Sequence, residues 1–178
     1  MRDAVQDKAW LHFACHAWFN HEFPLESYLQ TGEGERLTAL EVMEGWRLRA
    51  QLVTLSACQT GVSRVLRGDE PMGLIRSFLY AGAKAVLVTQ WPVEDLPTCL
   101  LMIRFYQAVI STARPDLSRG LLTAQRWLSA LTAAEAQEFM VHYGIPLAED
   151  EGLLKLPHSQ RPFQHPRFWA AFKLVVGS

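Results

Sequence analysis

Cysteine is scarce in this chain: there are three in 178 residues, an odd number scattered at positions 15, 58 and 99. That excludes a disulfide framework and makes a reducing, cytoplasmic setting the simplest expectation. An excess of charge of one sign is also missing. Seventeen basic residues stand against eighteen acidic ones, for a formal net charge of −1. This balance argues against a general nucleic-acid or anionic-membrane surface as partner. No apolar run approaches the roughly 20 residues of a membrane span, and the start MRDAVQDKAW lacks the basic-then-apolar layout of a signal peptide. Internal repeats and low-complexity segments are absent. No CxxC spacing occurs, so no metal site is expected, and the carboxylates are too dispersed for a glycosidase pair.

What is present is a globular composition, 49% hydrophobic and 20% charged, with enough apolar material for one core. Strand-like runs alternate with helical periodicity. Ala9 to Phe19 (AWLHFACHAWF) reads as one short strand leaving into a loop. The next stretch, NHEFPLESYLQTGEGERL, carries Pro24, Gly32 and Gly34 and reads as an exposed loop. Thr38 followed three residues later by Glu41 is a capping-box pattern that opens a short helix, with Leu40, Met43 and Trp46 expected on its apolar face. Gln51 to Ala57 reads as a strand. PMGLIRSFLYAGA reads as a helix, with Pro71 near its first turn and Gly82 at its end. Lys84 to Trp91 is apolar on both faces, as a central parallel strand requires.

A long helix follows through PVEDLPTCLLMIRFYQAVIST, with Pro97 early, where proline is tolerated. Further helical segments run from Asp116 to Leu131 and from Ala133 to about His142. GIPLAEDEGLLKLPHSQRPFQ holds three prolines and no steady period and reads as irregular, within an insertion expected to span residues 133–164. HPRFWAAFKLVVGS then returns to an apolar strand, with His165 and Pro166 marking the turn into it. The expected fold class is α/β: a mostly parallel sheet with helices on both faces.

Within this frame, LVTLSACQTG ends an apolar strand on Cys58 and leaves it through polar and flexible residues. The carboxyl ends of strands are where open α/β sheets place their chemistry. A thiol becomes a good nucleophile beside a base or a positive charge. Of the six histidines, His16 closes the apolar run LHFACH, so neighbouring parallel strands would bring His16 and Cys58 to one sheet edge. The histidine lies 42 positions upstream, close to the separation of about 50 residues found in caspase-type cysteine peptidases. Any α/β chain offers some His and Cys at such a distance, so the spacing alone leaves a packed thiol as an alternative.

Five blocks, in order, narrow the choice. HFACHA, LTALEV, LVTLSACQTG, GDEPMGLIRSFLYAGAKAVLVTQWPVEDLPTCLLMIRFY and HPRFWAAFKLVVG resemble the signatures of the CHAT domain. That domain belongs to the caspase-like cysteine peptidase clan, is related to separase, and is often fused to tetratricopeptide repeats in bacteria. The resemblance covers nearly all of the chain outside 133–164 and implies a single caspase-like domain over 1–178. It implies His16 as the catalytic histidine and Cys58 as the nucleophile. The backbone N–H groups of Cys58 and Ala17 would form the oxyanion hole, where losing one donor typically costs a factor of about 100–1,000. The family usually has glycine at the position of Ala17; alanine still offers the N–H but resists positive φ.

By similarity, TQWPVED would border the substrate pocket, with Glu94 or Asp95 greeting a basic side chain. Related enzymes often carry an acid two residues before the nucleophile, where this chain has Ser56. The implied reaction is hydrolysis of a protein substrate with no metal or organic cofactor.

The remaining polar residues have plainer readings. His12 is expected to pack against the sheet. Cys15 alternates to the face opposite His16 and is expected in the core. Asp69 and Glu70 are expected to solvate a loop and favour the following helix N-terminus. Trp91 and the Trp169–Phe172 cluster are expected in the core or a pocket wall.

Caspase-like folds place two strands before the histidine-bearing one, whereas only eight residues precede it here. The expectation is therefore the carboxyl-terminal part of a longer protein, with an upstream repeat region or sensor as partner. A sheet lacking those strands would expose an edge, so the competing function is a partner-dependent protein-interaction module without activity.

Overall fold

The computed structural model describes residues 2–56, 72–111, 115–146 and 152–177. These fall into two compact units, Met1–Pro92 with Ala171–Ser178, and Val93–Ala170.

The first unit is built on a four-stranded sheet. After a short helix α1 (Arg2–Val5) come strands β1 (Trp10–Ala14) and β2 (His16–Trp18). Then follow β3 (Tyr28–Gln30), β4 (Arg36–Thr38), helix α2 (Ala39–Gly45), β5 (Leu52–Ser56), helix α3 (Met72–Tyr80) and β6 (Ala85–Thr89). The last strand is β7 (Phe172–Val176). The large sheet has the order β1-β5-β6-β7. β1, β5 and β6 run parallel, and β7 closes the far side antiparallel to β6. This mixed, mostly parallel sheet with helices is the α/β class expected from sequence. β6 is buried at every position, as the apolar run AVLV that precedes its buried Thr89 requires of a strand covered on both faces.

One face of the sheet carries Leu11, Val53, Leu55, Val86 and Val88 into a core shared with Ala39 and Val42 of α2 and Leu74, Ile75 and Phe78 of α3. The aromatic rings of Phe13, Trp46 and Phe78 meet there, with centroids 5.5–6.4 Å apart, the range in which offset and edge contacts are favourable. The capping box of α2 is present: Thr38 accepts from the Glu41 N–H, and the Glu41 carboxylate accepts from the Thr38 N–H and hydroxyl. The buried face of α2 differs from expectation. It is Ala39 and Val42, continued by Trp46, while Leu40 is 40% exposed. Ala39, Val42 and Trp46 recur at spacings of three and four and share one face, while Leu40 lies a quarter turn or more away from it.

Two expectations for the stretch before α2 are corrected. Ala9 to Phe19 is not one strand: Cys15 alone separates β1 from β2, which belongs to a second sheet of order β2-β3-β4. The stretch read as an exposed loop supplies the other two strands of that sheet. Its glycines sit in the β3–β4 turn, where Gly34 has φ +79° and the Thr31 N–H donates to the Glu35 carbonyl. On either side of the turn, single leucines alternate with polar residues, and Ala17, Leu29 and Leu37 form one register row that is buried. Three-residue strands are too short for periodicity to reveal them.

The second unit contains α4 (Asp95–Ile110), α5 (Leu117–Ala130) and α6 (Ala133–Tyr143). α4 and α5 pack tightly, since a Cβ on Gly120 would lie 2.3 Å from Val109 Cγ1. Asp116 caps α5, and Thr132 with Glu135 forms a capping box on α6. Within 133–164 the irregular part therefore begins only after α6. There the described residues hold one 3-10 turn, Leu153–Lys155. A second 3-10 turn, Pro166–Phe168, leads toward β7, with His165 Nδ1 accepting from the Arg167 N–H at its start.

Two predictions follow from this packing. A Cβ on Gly73 would lie 2.0 Å from the carbonyl oxygen of Pro24, so Gly73→Ala forces α3 off the Pro24 turn. Urea denaturation of this variant is expected to show a loss of about 1–3 kcal/mol. Thr38→Ala removes the α2 cap at an expected cost of about 0.5–2 kcal/mol. The backbone and side-chain hydrogen bonds from Thr38 hold the Glu41 carboxyl below its ordinary range. The cap's contribution is therefore complete above that range and fades as pH falls through the lowered value, which a pH series of the same denaturation measures.

Candidate active site

The parallel ladder positions the two reactive-residue candidates. β1 and β5 pair with Trp10 opposite Leu52, His12 opposite Thr54 and Ala14 opposite Ser56. β1 ends at Ala14, and Ala14–Ser56 is the last described rung of the ladder. His16 stands two residues beyond Ala14, and Cys58 two residues beyond Ser56 in the sequence. Cys58, with its N–H, lies outside the described residues, as do Asp69 and Glu70.

His16 opens β2 and is exposed, opposite Gln30 of β3. Because side chains alternate along a strand, its face of the small sheet also carries Trp18. Two register rows lie on that face, His16–Gln30–Arg36 and Trp18–Tyr28–Thr38. Trp18 stacks on Tyr28 at 5.5 Å, and the Arg36 guanidinium lies 4.5 Å from the Tyr28 ring centre. Reading this stretch as a loop hid the whole face. The alternation of single leucines with polar residues in YLQ and RLT is the faint signal that marks it.

Ala17 sits between them with a buried methyl. No residue other than glycine has positive φ among the described residues, so alanine fits the extended backbone that this position adopts. Cys15 is half-buried against the core, as expected, and burial pushes its thiol pKa up. Cys99 on α4 is exposed, and partial desolvation shifts its thiol pKa in the same direction. Burial of this kind disfavours the nucleophilic thiolate of Cys15.

His12, expected to pack against the sheet, is instead exposed. Its Nε2 lies 2.9 Å from Ser56 Oγ, a hydrogen bond across the β1–β5 ladder whose direction depends on the imidazole tautomer. Desolvation lowers the His12 pKa, which favours the neutral ring. Sequence reading missed this contact, because it appears only once the strands are paired in register.

Glu94 and Asp95 belong to the second unit, at the start of α4. With Val93, Leu153, Phe163 and Phe168 they line a cavity of about 580 Å³. The Glu94 carboxylate is 3.4 Å from the Arg167 guanidinium, with both side chains more than half exposed. Trp91, expected in the core or a pocket wall, is 39% exposed, whereas Phe172 is buried. No group of three or more potential metal ligands occurs among the described residues.

The fold and the paired strand ends define a class, and the comparisons identify it: the CHAT domain family matches residues 1–178, and the chain belongs to that family. Tetratricopeptide repeat protein 28 of Mus musculus is 30% identical over 139 residues, covering 78% of this chain and 4% of that protein. The Homo sapiens protein of the same name is 28% identical over the same length. The chain thus spans a small part of the curated relatives it matches.

Because the Glu94–Arg167 pair is exposed, it contributes little to folding. Glu94→Gln is expected to change stability by less than about 1 kcal/mol in chemical denaturation.

Proposed function

We propose that the chain is a caspase-like cysteine endopeptidase domain in which His16 and Cys58 form the dyad. The observation that supports this reading best is the register of β1 on β5. It sets Ala14 beside Ser56 on two neighbouring parallel strands, and two residues further along the sequence lie the histidine and the cysteine. His16 takes the thiol proton or pairs with the thiolate, and the thiolate attacks a peptide carbonyl held by the N–H groups of Ala17 and Cys58. The amine leaves with the proton from His16, and water hydrolyses the acyl-enzyme. None of these steps needs a metal or organic cofactor. Glu94, Asp95 and Ser56 are the proposed substrate-binding residues, and the two carboxylates favour a basic residue before the scissile bond. The setting proposed is the cytoplasm, beside a tetratricopeptide-repeat region or sensor. No described helix is long and apolar enough to cross a membrane.

A second reading draws on the position of β1 at one side of the large sheet, with β5 as its ladder partner. In that reading the edge of β1 recruits another protein by strand addition, and no bond is cut. Intact-mass analysis after treatment with a peptide acyloxymethyl ketone bearing arginine next to the reactive group separates the two. The peptidase reading expects one adduct on Cys58 that is lost in both Cys58→Ala and His16→Ala. Folded protein that stays unlabelled with arginine and with other residues at that position rejects it in favour of the interaction module.

A further inference from the structure

The cavity of about 580 Å³ at the start of α4 lies wholly within the second unit. That volume is in the range of sites that take a small molecule or a short stretch of peptide. Its wall is mostly apolar, with Pro97, Leu153, Leu156 and Phe163, and Phe168 meets Phe163 edge-on at 5.6 Å. Glu94 and Asp95 add two carboxylates to the same wall. Glu94 stands at the N-cap of α4, where a short polar side chain ordinarily accepts from first-turn N–H groups. It makes no such capping bond, and its carboxylate lies 3.4 Å from the Arg167 guanidinium instead. That guanidinium also lies 4.4 Å from the centre of the Phe168 ring. Arg167 thus touches one acidic and one aromatic residue of the cavity wall, and its chain neighbour Phe168 is part of that wall. Both members of the ion pair stay more than half exposed, and such a pair is weak enough for an incoming charge to replace.

We propose that this cavity docks a peptide segment carrying an apolar side chain next to a lysine or arginine, and that Arg167 is the internal competitor for its carboxylates. The apolar side chain fills the cavity, and the neighbouring cation takes the place of Arg167 at Glu94. Charge selects that occupant, because both ionisable residues of the wall are acidic. The chain's own Arg167–Phe168 step shows the chemistry, a cation on a carboxylate with an aromatic ring beside it. The inference rests on the reading of Glu94 and Asp95 as substrate-binding residues and adds what they bind. It needs neither His16 nor Cys58, since every residue it uses lies between Val93 and Ala170. A site occupied from within binds more weakly by the fraction of time it is free, so removing Arg167 tightens binding.

The test is calorimetric titration of the full chain, carrying Cys58→Ala so that no peptide is cut, with the acetylated tetrapeptide amide Gly-Phe-Arg-Gly. Exchanging its phenylalanine for glycine is expected to weaken binding about tenfold or more, the scale of burying one large apolar side chain. Citrulline in place of its arginine, or Glu94→Gln in the protein, should each weaken binding about fivefold, and Asp95→Asn added to Glu94→Gln should weaken it further. Arg167→Gln should tighten binding about fivefold. Arg161, whose charge acts on Glu135, is the control: Arg161→Gln removes the same charge and should leave Kd unchanged. In a Glu94→Gln background, Arg167→Gln should add nothing. Glu94, Asp95, Arg161 and Arg167 are all exposed, so these variants are expected to fold as the parent does.

An Arg167→Gln chain that binds no more tightly than the parent, or no more tightly than Arg161→Gln, would overturn the internal competitor and leave Glu94 and Asp95 as ligand residues. A peptide that binds equally well with glycine for phenylalanine would overturn the cavity as the receptor of an apolar side chain. Peptide binding that is undetectable in both the parent and Arg167→Gln, or that survives unchanged in Glu94→Gln/Asp95→Asn, would remove the substrate-binding reading of the two carboxylates, and this site with it.

Discussion

The constraint on which the rest depends is the parallel pairing of β1 with β5. A parallel ladder is slightly weaker per residue than an antiparallel one and requires a crossover of a dozen or more residues between its strands. Here that crossover is the whole stretch from β2 through α2. It is no idle connection, since it folds as a second small sheet, contributes Ala17, Leu29, Leu37 and Val42 to the core, and returns the chain beside its start. Hydrophobic burial of one face thus determines which residues end up together at the opposite, polar end of the strands.

Register carries the chemistry. Side chains alternate with period two, so a slip of one residue between β1 and β5 would exchange every buried side chain of β1 for an exposed one. Leu11 and Phe13 on the core face resist that slip, and the same alternation places His12 on the face of Thr54 and Ser56. In the small sheet the buried row Ala17–Leu29–Leu37 has the matching effect, directing His16, Gln30 and Arg36 outward together. Of the two described thiols, Cys15 is half-buried against the core and Cys99 is exposed on α4.

Much of this was legible from residues alone, for identifiable reasons. β5, β6, α4 and α5 were readable because each is long or uniform enough for its period to show. The capping box of Thr38 and Glu41 was read from a local rule that tertiary contacts did not override, whereas the matching box of Thr132 and Glu135 was not singled out. β2, β3 and β4 were not readable, because three residues carry no period and the nearby glycines and proline speak for loops. The phase of α2 was missed because the small Ala39 and Val42, rather than the larger Leu40 and Met43, face the core with Trp46. The antiparallel direction of β7 has no sequence signature at all. For the site, His16 and Cys58 were reached through motifs. The link between His12 and Ser56 depends on which residues face each other across a ladder, and a single strand does not encode that.

The antiparallel closure by β7 also has a topological consequence. Thr89 at the end of β6 pairs with Phe172 at the start of β7, so the chain departs from the ladder and rejoins it at the same rung, roughly eighty residues later. As a flexible loop, such an excursion would cost about 2–3 kcal/mol more to close than a five-residue hairpin. Its own compact helices remove much of that freedom beforehand. On a growing polypeptide, β1, β5 and β6 are complete before the excursion begins, whereas β7 arrives only after it ends. The sheet therefore acquires its final strand last, and until then β6 is its provisional border.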